Sequence, residues 1–367
     1  MSRIATSAWL ALALLLTVTG TALAEDDARN PLIAQLTPTA TFADSTVPPN
    51  GDLNPYGVAI VPHGFSAGGP LHPGDIIVSN FNASSNVQGT GTTIVRVNNG
   101  TAPTVFFQGE SGLGLTTALG VLRAGYVLVG NLPTDSSGNA LRGSLLVIDK
   151  HGKLVKQFVN AKLLDGPWNL TVKDEGHHAK VFVSNVLSGT VTRLDLRIAG
   201  DGDGDRDDSV ILEKETQIAS GYAFRTDPSA LVVGPTGVAL DAERDILYVS
   251  STGDNAIFAV RDASDRTTDA GMGQLVVKDD AHLHGPLGLA LAPNGDLIST
   301  QGDAVNPDAS QPSEIVEFTR SGQFVAQFSV DPAPGSAFGL AIRTIEDGFI
   351  FATVDDATNV LDIWVVK

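Results

Sequence analysis

Gly285-Pro286-Leu287-Gly288-Leu289-Ala290-Leu291-Ala292-Pro293-Asn294-Gly295-Asp296-Leu297-Ile298-Ser299-Thr300-Gln301 reads as two short strands and the turn between them. Leu287, Leu289 and Leu291 alternate with small residues, Pro293-Asn294-Gly295 supplies residues that tolerate positive φ in a tight turn, and Leu297-Ile298 opens a second apolar run. The same order recurs at 54–60, 166–172 and 234–240, at 337–342 without the proline, and more weakly at 117–122. Equivalent positions 57, 120, 169, 237, 288 and 339 are spaced by 63, 49, 68, 51 and 51 residues, which marks an array. Four strands of about five residues with their turns fill about 45 residues, the size of one propeller blade, and no helical period is present. The expected fold is therefore all-β, a six-bladed β-propeller with four-stranded antiparallel blades.

The chain opens Met1-Ser2-Arg3, runs through an apolar stretch at 8–18 and reaches Ala22-Leu23-Ala24 before Glu25. That is the layout of a secretory signal peptide, with a basic start, a short apolar segment and an A-x-A cleavage site. An uncleaved anchor is the competing reading, but the apolar run is far shorter than the about 20 residues of a span. Cleavage after Ala24 leaves 25–367 as one propeller domain, secreted or periplasmic, with no membrane span. Because the signal holds one Arg and no acid, cleavage takes the net charge from −18 to −19, which argues against nucleic acid and anionic membranes as partners. No cysteine is present, so the core holds by burial alone, and a monomer is expected.

The blades are expected near 57–109, 116–160, 166–220, 234–279, 285–330 and 337–367. The last copy ends after three strands, whereas 31–37 resembles the outermost strands at 154–159 and 324–329. We therefore expect 31–37 to complete the C-terminal blade and close the ring, which removes two exposed edges. Only 198–230 exceeds what a blade needs, and it reads as an acidic insertion in blade three.

With its G-P-x-G-x-A/L openings, the V-S-N and Y-V-S-S second strands and the I-x-R-x-D third strands, the chain resembles NHL-repeat propellers. The wider six-bladed group includes calcium-dependent lactonases of the regucalcin and gluconolactonase type and the streptogramin lyases. The resemblance implies a ligand over the central channel, on the face bearing the loops into each first strand and out of each second. That face would carry Asn54, Tyr56, Asn80, Asn82, Asn131, Trp168, Asn185, Asp254, His282, His284, Gln301, Asp303 and Asp355. The opposite face would carry His63, His72, His151, His177, His178 and the acidic insertion.

Four constellations bear on chemistry. The second-strand exits Asn80, Asn131, Asn185, Ser251 and Gln301 stand at equivalent heights, where amides suit a sugar, a peptide or an oxygen-ligated cation; the alternative is that each Asn caps its own turn. Asp254, Asp303 and Asp355 put carboxylates beyond three second strands, but 50–54 has no Glu where the lactonase arrangement implies one. His282 and His284 are the imidazoles on the channel face; an extended segment would set them on one side, about 7 Å apart, as weak candidates for proton transfer. Finally Asp201, Asp203, Asp205 and Asp207 alternate along a Gly-loosened loop, a pattern that suits structural Ca²⁺, or else a solvated acidic loop. The leading reading is a non-catalytic binder of a small molecule, glycan or peptide at the channel face; the alternatives are a divalent-metal-dependent lactonase or lyase, whose channel metal is not named by the sequence, and a protein-binding scaffold.

Overall fold

A computed structural model describes residues 30–367 apart from 99, 200–209, 303–304 and 334. Six four-stranded antiparallel sheets form a ring. In chain order, blade one holds Leu53–Ile60, Ile76–Asn82, Thr93–Asn98 and Thr101–Gln108, and blade two holds Leu115–Leu122, Tyr126–Asn131, Ser144–Asp149 and Leu154–Phe158. Blade three is Pro167–Asp174, His178–Asn185, Thr190–Ile198 and Val210–Ser220; blade four is Pro235–Asp241, Ile246–Ser251, Ala256–Arg261 and Gln274–Val277. Blade five is Pro286–Leu291, Leu297–Gln301, Glu314–Phe318 and Phe324–Ser329, and blade six is Ala337–Ile345, Gly348–Asp355 and Val360–Val366 with Phe42–Ser45 on its outer edge. The propeller expected from the repeats is the fold observed.

The repeated proline and glycine have a mechanical explanation. The ladder between first and second strands breaks at the entry of every blade, between Pro55 and Gly57, Pro167 and Asn169, Pro235 and Val238, and Pro286 and Leu289, and also between Leu115 and Leu119 and between Ala337 and Leu340, where no proline stands; proline has no N–H and fits this break without causing it. A second-strand hydroxyl takes the N–H orphaned by that break. Gly57 N–H donates to Ser79 Oγ (3.0 Å), Asn169 N–H to Ser184 Oγ (3.1 Å) and Gly288 N–H to Thr300 Oγ1 (2.8 Å). The same hydroxyls then donate to the next blade, Ser79 to Thr116 O at 2.8 Å, Ser184 to Thr236 O at 2.6 Å, and Thr300 to Phe338 O. In blades one, three and five the Ser or Thr of the second-strand motif thus stitches blade to blade, whereas Ser250 and Thr353 donate to Gly237 O and Gly339 O within their own blades.

First strands meet around the axis at backbone distance. A Cβ on Gly339 would lie 2.0 Å from Tyr56 O of blade one, and one on Gly237 would lie 2.5 Å from Leu289 N of blade five. Only glycine allows that approach. Six apolar clusters fill the six gaps between successive blades. This two-sided burial accounts for the near-continuous apolarity of the second and third strands.

Closure differs from the sequence expectation in one respect. The N-terminal segment does complete blade six, but through Phe42–Ser45, paired with Val360 to Ile363, and not through 31–37. Residues 31–37 instead contain a single 3₁₀ turn, Ile33–Gln35. Their apolar side chains Leu32, Ile33 and Leu36 are buried with Phe349, Phe351 and Trp364, so the hydrophobic pattern serves core burial and not a ladder. The true closing strand is mostly exposed, which is why no apolar alternation marks it.

The insertion also divides. Val210–Ser220 is the ordinary outer strand of blade three, and the addition is a small hairpin, Arg225–Asp227 with Leu231–Val233, in the link from blade three to blade four. This link lies at the end of the ring where chains enter first strands; the acidic run 201–209, for which the opposite face is expected, lies outside the described residues.

Candidate functional site: the channel mouth

The first strands of all six blades line an axial channel of about 270 Å³, including Val58, Leu119, Asn169, Val238, Leu289 and Leu340. Its walls are largely aliphatic and backbone. At the end bearing the second-strand exits, the channel is stoppered by Tyr56, Phe81, Trp168 and Phe338. Tyr56 stands at the centre, with ring centroids 4.5 Å from Phe338, 4.9 Å from Phe81 and 5.6 Å from Trp168. Three of these aromatics occupy the residue next to the glycine or its equivalent, so the repeat itself converges them.

Above the stopper is a cavity of about 210 Å³ whose walls include Asn54, Tyr56, Trp168, Thr252, Phe338 and Asp356. Ser229, Ala230 and Val232 of the hairpin complete it, and Gln88 Nε2 of blade one donates to Ser229 O at 2.9 Å, tying the hairpin across the mouth. Two buried polar atoms on these walls have no partner among the described residues: the donor Trp168 Nε1 and the acceptor Asn54 Oδ1. Burial, reinforced by neighbouring Asp355, pushes the Asp356 carboxyl up to about 6.

A second cavity of about 190 Å³ adjoins the first, sharing Gly302 and Gly335 as walls. It is lined by His284, Gln301, Asp308, Gln311, Ser313 and Glu314 among others. His284 Nδ1 lies 2.7 Å from Glu314 Oε2, with both side chains buried. Glu314 Oε1 is buried without a partner among the described residues. Burial raises the Glu314 carboxyl above its ordinary value although the hydrogen bond to His284 opposes it.

The sequence candidates fall into distinct roles. Tyr56 and Trp168 are at the mouth. The second-strand amides hold the lead-in of their own blade: Asn80 Nδ2 donates to Thr46 O (3.1 Å), Asn185 Nδ2 to Leu163 O (3.2 Å) and Gln301 Nε2 to His282 O (3.1 Å), while Asn131 Oδ1 accepts from Gly114 N–H (2.8 Å). Gln301 also lines the side cavity. Asp254 accepts from Ser251 Oγ of its own turn and from Ala223 N–H of the link into blade four, and Asp355 accepts from Ala357 N–H and Thr358 Oγ1 of its own turn. Asp303 and the loop acids Asp201, Asp203, Asp205 and Asp207 lie outside the described residues.

His282 and His284 do not share one side as an extended segment would require. The chain there is a turn, with His282 N–H and Leu283 N–H both donating to Asp279 O. His282 bonds Asp279 Oδ2 at 2.6 Å and stacks on Phe324 at 3.7 Å, on the outer strand, while His284 turns to Glu314. Glu314 and Asp356 were not singled out from the sequence. The available signal was two acids, Glu314 and Glu317, inside the five-residue apolar strand Glu314–Phe318, both fully buried in the structure.

No protein-family model matches the chain, and no curated protein does. Among solved structures, the calcium-binding protein regucalcin from Agrobacterium tumefaciens is similar at 12% identity and a TM-score of 0.54, covering 90% of this chain and 96% of that one. A gluconolactonase from Xanthomonas campestris is similar at 14% identity and a TM-score of 0.44, covering 85% and 86%. A luciferin-regenerating enzyme is similar at 12% identity and a TM-score of 0.47, covering 88% and 95%. At such identity the regucalcin likeness is one of architecture: the chain is a six-bladed β-propeller built as that protein is.

Proposed function

We propose that the chain binds a small organic molecule over the channel mouth, between the aromatic stopper and the hairpin. The observation that carries this reading is the pair Trp168 Nε1 and Asn54 Oδ1, a buried donor and a buried acceptor without partners on the walls of one cavity. Each unmade bond costs about 1–3 kcal/mol, so a ligand presenting one acceptor and one donor offsets both. The aromatic floor adds apolar contact area. Secretion or periplasmic export, a monomeric state, and exclusion of nucleic acid remain part of this proposal, on the signal layout and the acidic charge.

The test uses intrinsic fluorescence. After signal cleavage the chain retains two tryptophans, Trp168 at the mouth and Trp364, which donates to Thr37 O at the ring's outer edge. A metabolite library should yield compounds that change emission saturably, with the change lost in Trp168→Phe and affinity reduced in Asn54→Leu. A library that gives no saturable change, or one that persists in Trp168→Phe, would reject the mouth as the site.

The catalytic alternative, a divalent-metal-dependent lactonase or lyase, would have to draw its channel ligands from acids that include Asp303, outside the described residues. Among the described residues no three His, Asp or Glu side chains gather as a metal site, and Asp254 and Asp355 accept hydrogen bonds from Ser251 and Thr358. For calcium the reading is structural, with Asp201, Asp203, Asp205 and Asp207 as ligands. Elemental analysis of 25–367 before and after deletion of 201–209 tests it, since a stoichiometric ion that survives the deletion contradicts that assignment. A protein or peptide partner is a second reading, favoured by the exposed apolar side chains Val87, Leu141 and Phe224, all in loops on the mouth side.

A further inference from the structure

We infer that the side cavity between His284, Asp308 and Glu314 is a subsite for the ammonium group of a small organic amine. The inference rests on ligand access over the mouth, because the two cavities share Gly302 and Gly335.

Glu314 is 1% exposed, and a buried carboxylate requires partners for both oxygens. His284 supplies one, at Oε2. Oε1 has none, and the residues described around the cavity offer it no donor within reach. A ligand that brings its own N–H and positive charge meets both needs, since a charge-assisted bond is about twice as strong as a neutral one. The surroundings select the same sign. Asp308 is a second carboxylate on the wall, and the hydrogen bonds from Ser310 Oγ and N–H hold its carboxyl below the ordinary range, hence ionised. No Lys or Arg lines the cavity among the described residues. Pro307, Ala309 and Pro312 give the ligand's carbon skeleton apolar wall. A net charge of −18 favours encounter with cations over anions.

A bare metal ion is the competing cation, but the acidic and imidazole side chains here are not gathered as a metal cluster. An ammonium needs only one well-placed acceptor and a second charge nearby. The subsite therefore takes a primary amine with a compact hydrocarbon body, the head group at Glu314 Oε1 and the body toward the prolines.

Calorimetric titration of the mature chain with n-butylamine and cyclohexylamine at about neutral pH, each against the alcohol of the same skeleton, tests this. Both amines stay protonated there, as a lysine side chain does. The amine should bind at least about tenfold tighter than its alcohol, and Glu314→Gln should remove at least about tenfold of amine affinity while leaving the alcohol unchanged. Asp308→Asn, at a solvent-facing wall, should cost a few-fold, less at high salt; it serves as the check should Glu314→Gln fail to fold. Failure of either amine to bind, equal affinity for amine and alcohol, undiminished amine binding in Glu314→Gln, or stoichiometric displacement by Ca²⁺, Mg²⁺ or Zn²⁺ alone would each overturn the inference. Ligands that act through Trp168 without any amine preference would leave the mouth reading standing and remove this one.

Discussion

Leu32 N–H and Glu317 Oε1 are joined by a 2.9 Å hydrogen bond across 285 residues of chain. Ile33 N–H donates to the other oxygen, also at 2.9 Å, and Asn294 Nδ2 adds a third bond to Oε1. One fully buried carboxylate from blade five thereby fastens the N-terminal segment beneath the closing blade. Replacing Glu317 with Leu leaves two backbone N–H groups buried and unpaired. We expect a loss of about 2–4 kcal/mol, read as a lower urea midpoint at unchanged slope, with new proteolysis near residue 32. A loss below about 1 kcal/mol would mean that closure depends on Phe42–Ser45 alone.

Gly339→Ala should destabilise by about 2–4 kcal/mol, because the new methyl would be driven into the Tyr56 carbonyl and neither backbone has room to retreat. Gly302→Ala is the control, since a Cβ there meets nothing nearer than 3.6 Å, and it should change stability by less than about 0.5 kcal/mol. Equal effects at the two positions would contradict the close-approach explanation of the repeat glycine.

Asp362 gives the stability a pH dependence of definite sign. Burial first, then the charges of Asp355 and Asp331, push its carboxyl up to about 7. A carboxyl raised on folding holds a proton that the unfolded chain releases, so the contribution of Asp362 weakens as pH rises from about 4 through 7. Asp362→Asn should therefore gain about 1–2 kcal/mol at pH 8, discounting the shift for partial exposure, and almost nothing at pH 4. Thermal unfolding across that range checks it; a gain at pH 4 equal to that at pH 8 would remove the titration argument.

Gln88 and Ser229 form the tie that holds the hairpin across the mouth. Gln88→Ala removes a single, largely exposed bond worth about 0.5–1.5 kcal/mol. Amide exchange at 228–233 should accelerate several-fold while exchange in the second and third strands of the blades stays unchanged. Unchanged exchange in the hairpin would show that Asp254 and the local turns suffice to hold it.

Much of the architecture was legible because its causes are local. A proline at a strand entry, a glycine two residues on, and a hydroxyl on the next strand each leave a mark at a fixed offset, and the offsets repeat. The closing strand was misplaced because Phe42–Ser45 buries only Asp44, whereas 31–37 has the apolar pattern of a strand and uses it for core burial. At the mouth, Tyr56 and Trp168 could be placed because the repeat fixes their height. His284 was visible as an imidazole on the proper face, but its partner was not.

The sequence by itself determined the number of blades and their four-stranded form, since periodic hydrophobicity and turn chemistry act between neighbours in the chain. Tertiary structure decided what each polar side chain does there. The amides of Asn80, Asn131 and Asn185 secure loops, while Glu314, 30 residues beyond His284, meets it in a buried pair with one oxygen left over. Which buried atom finds a partner depends on distances between loops of one blade and the next, and no local pattern carries that information.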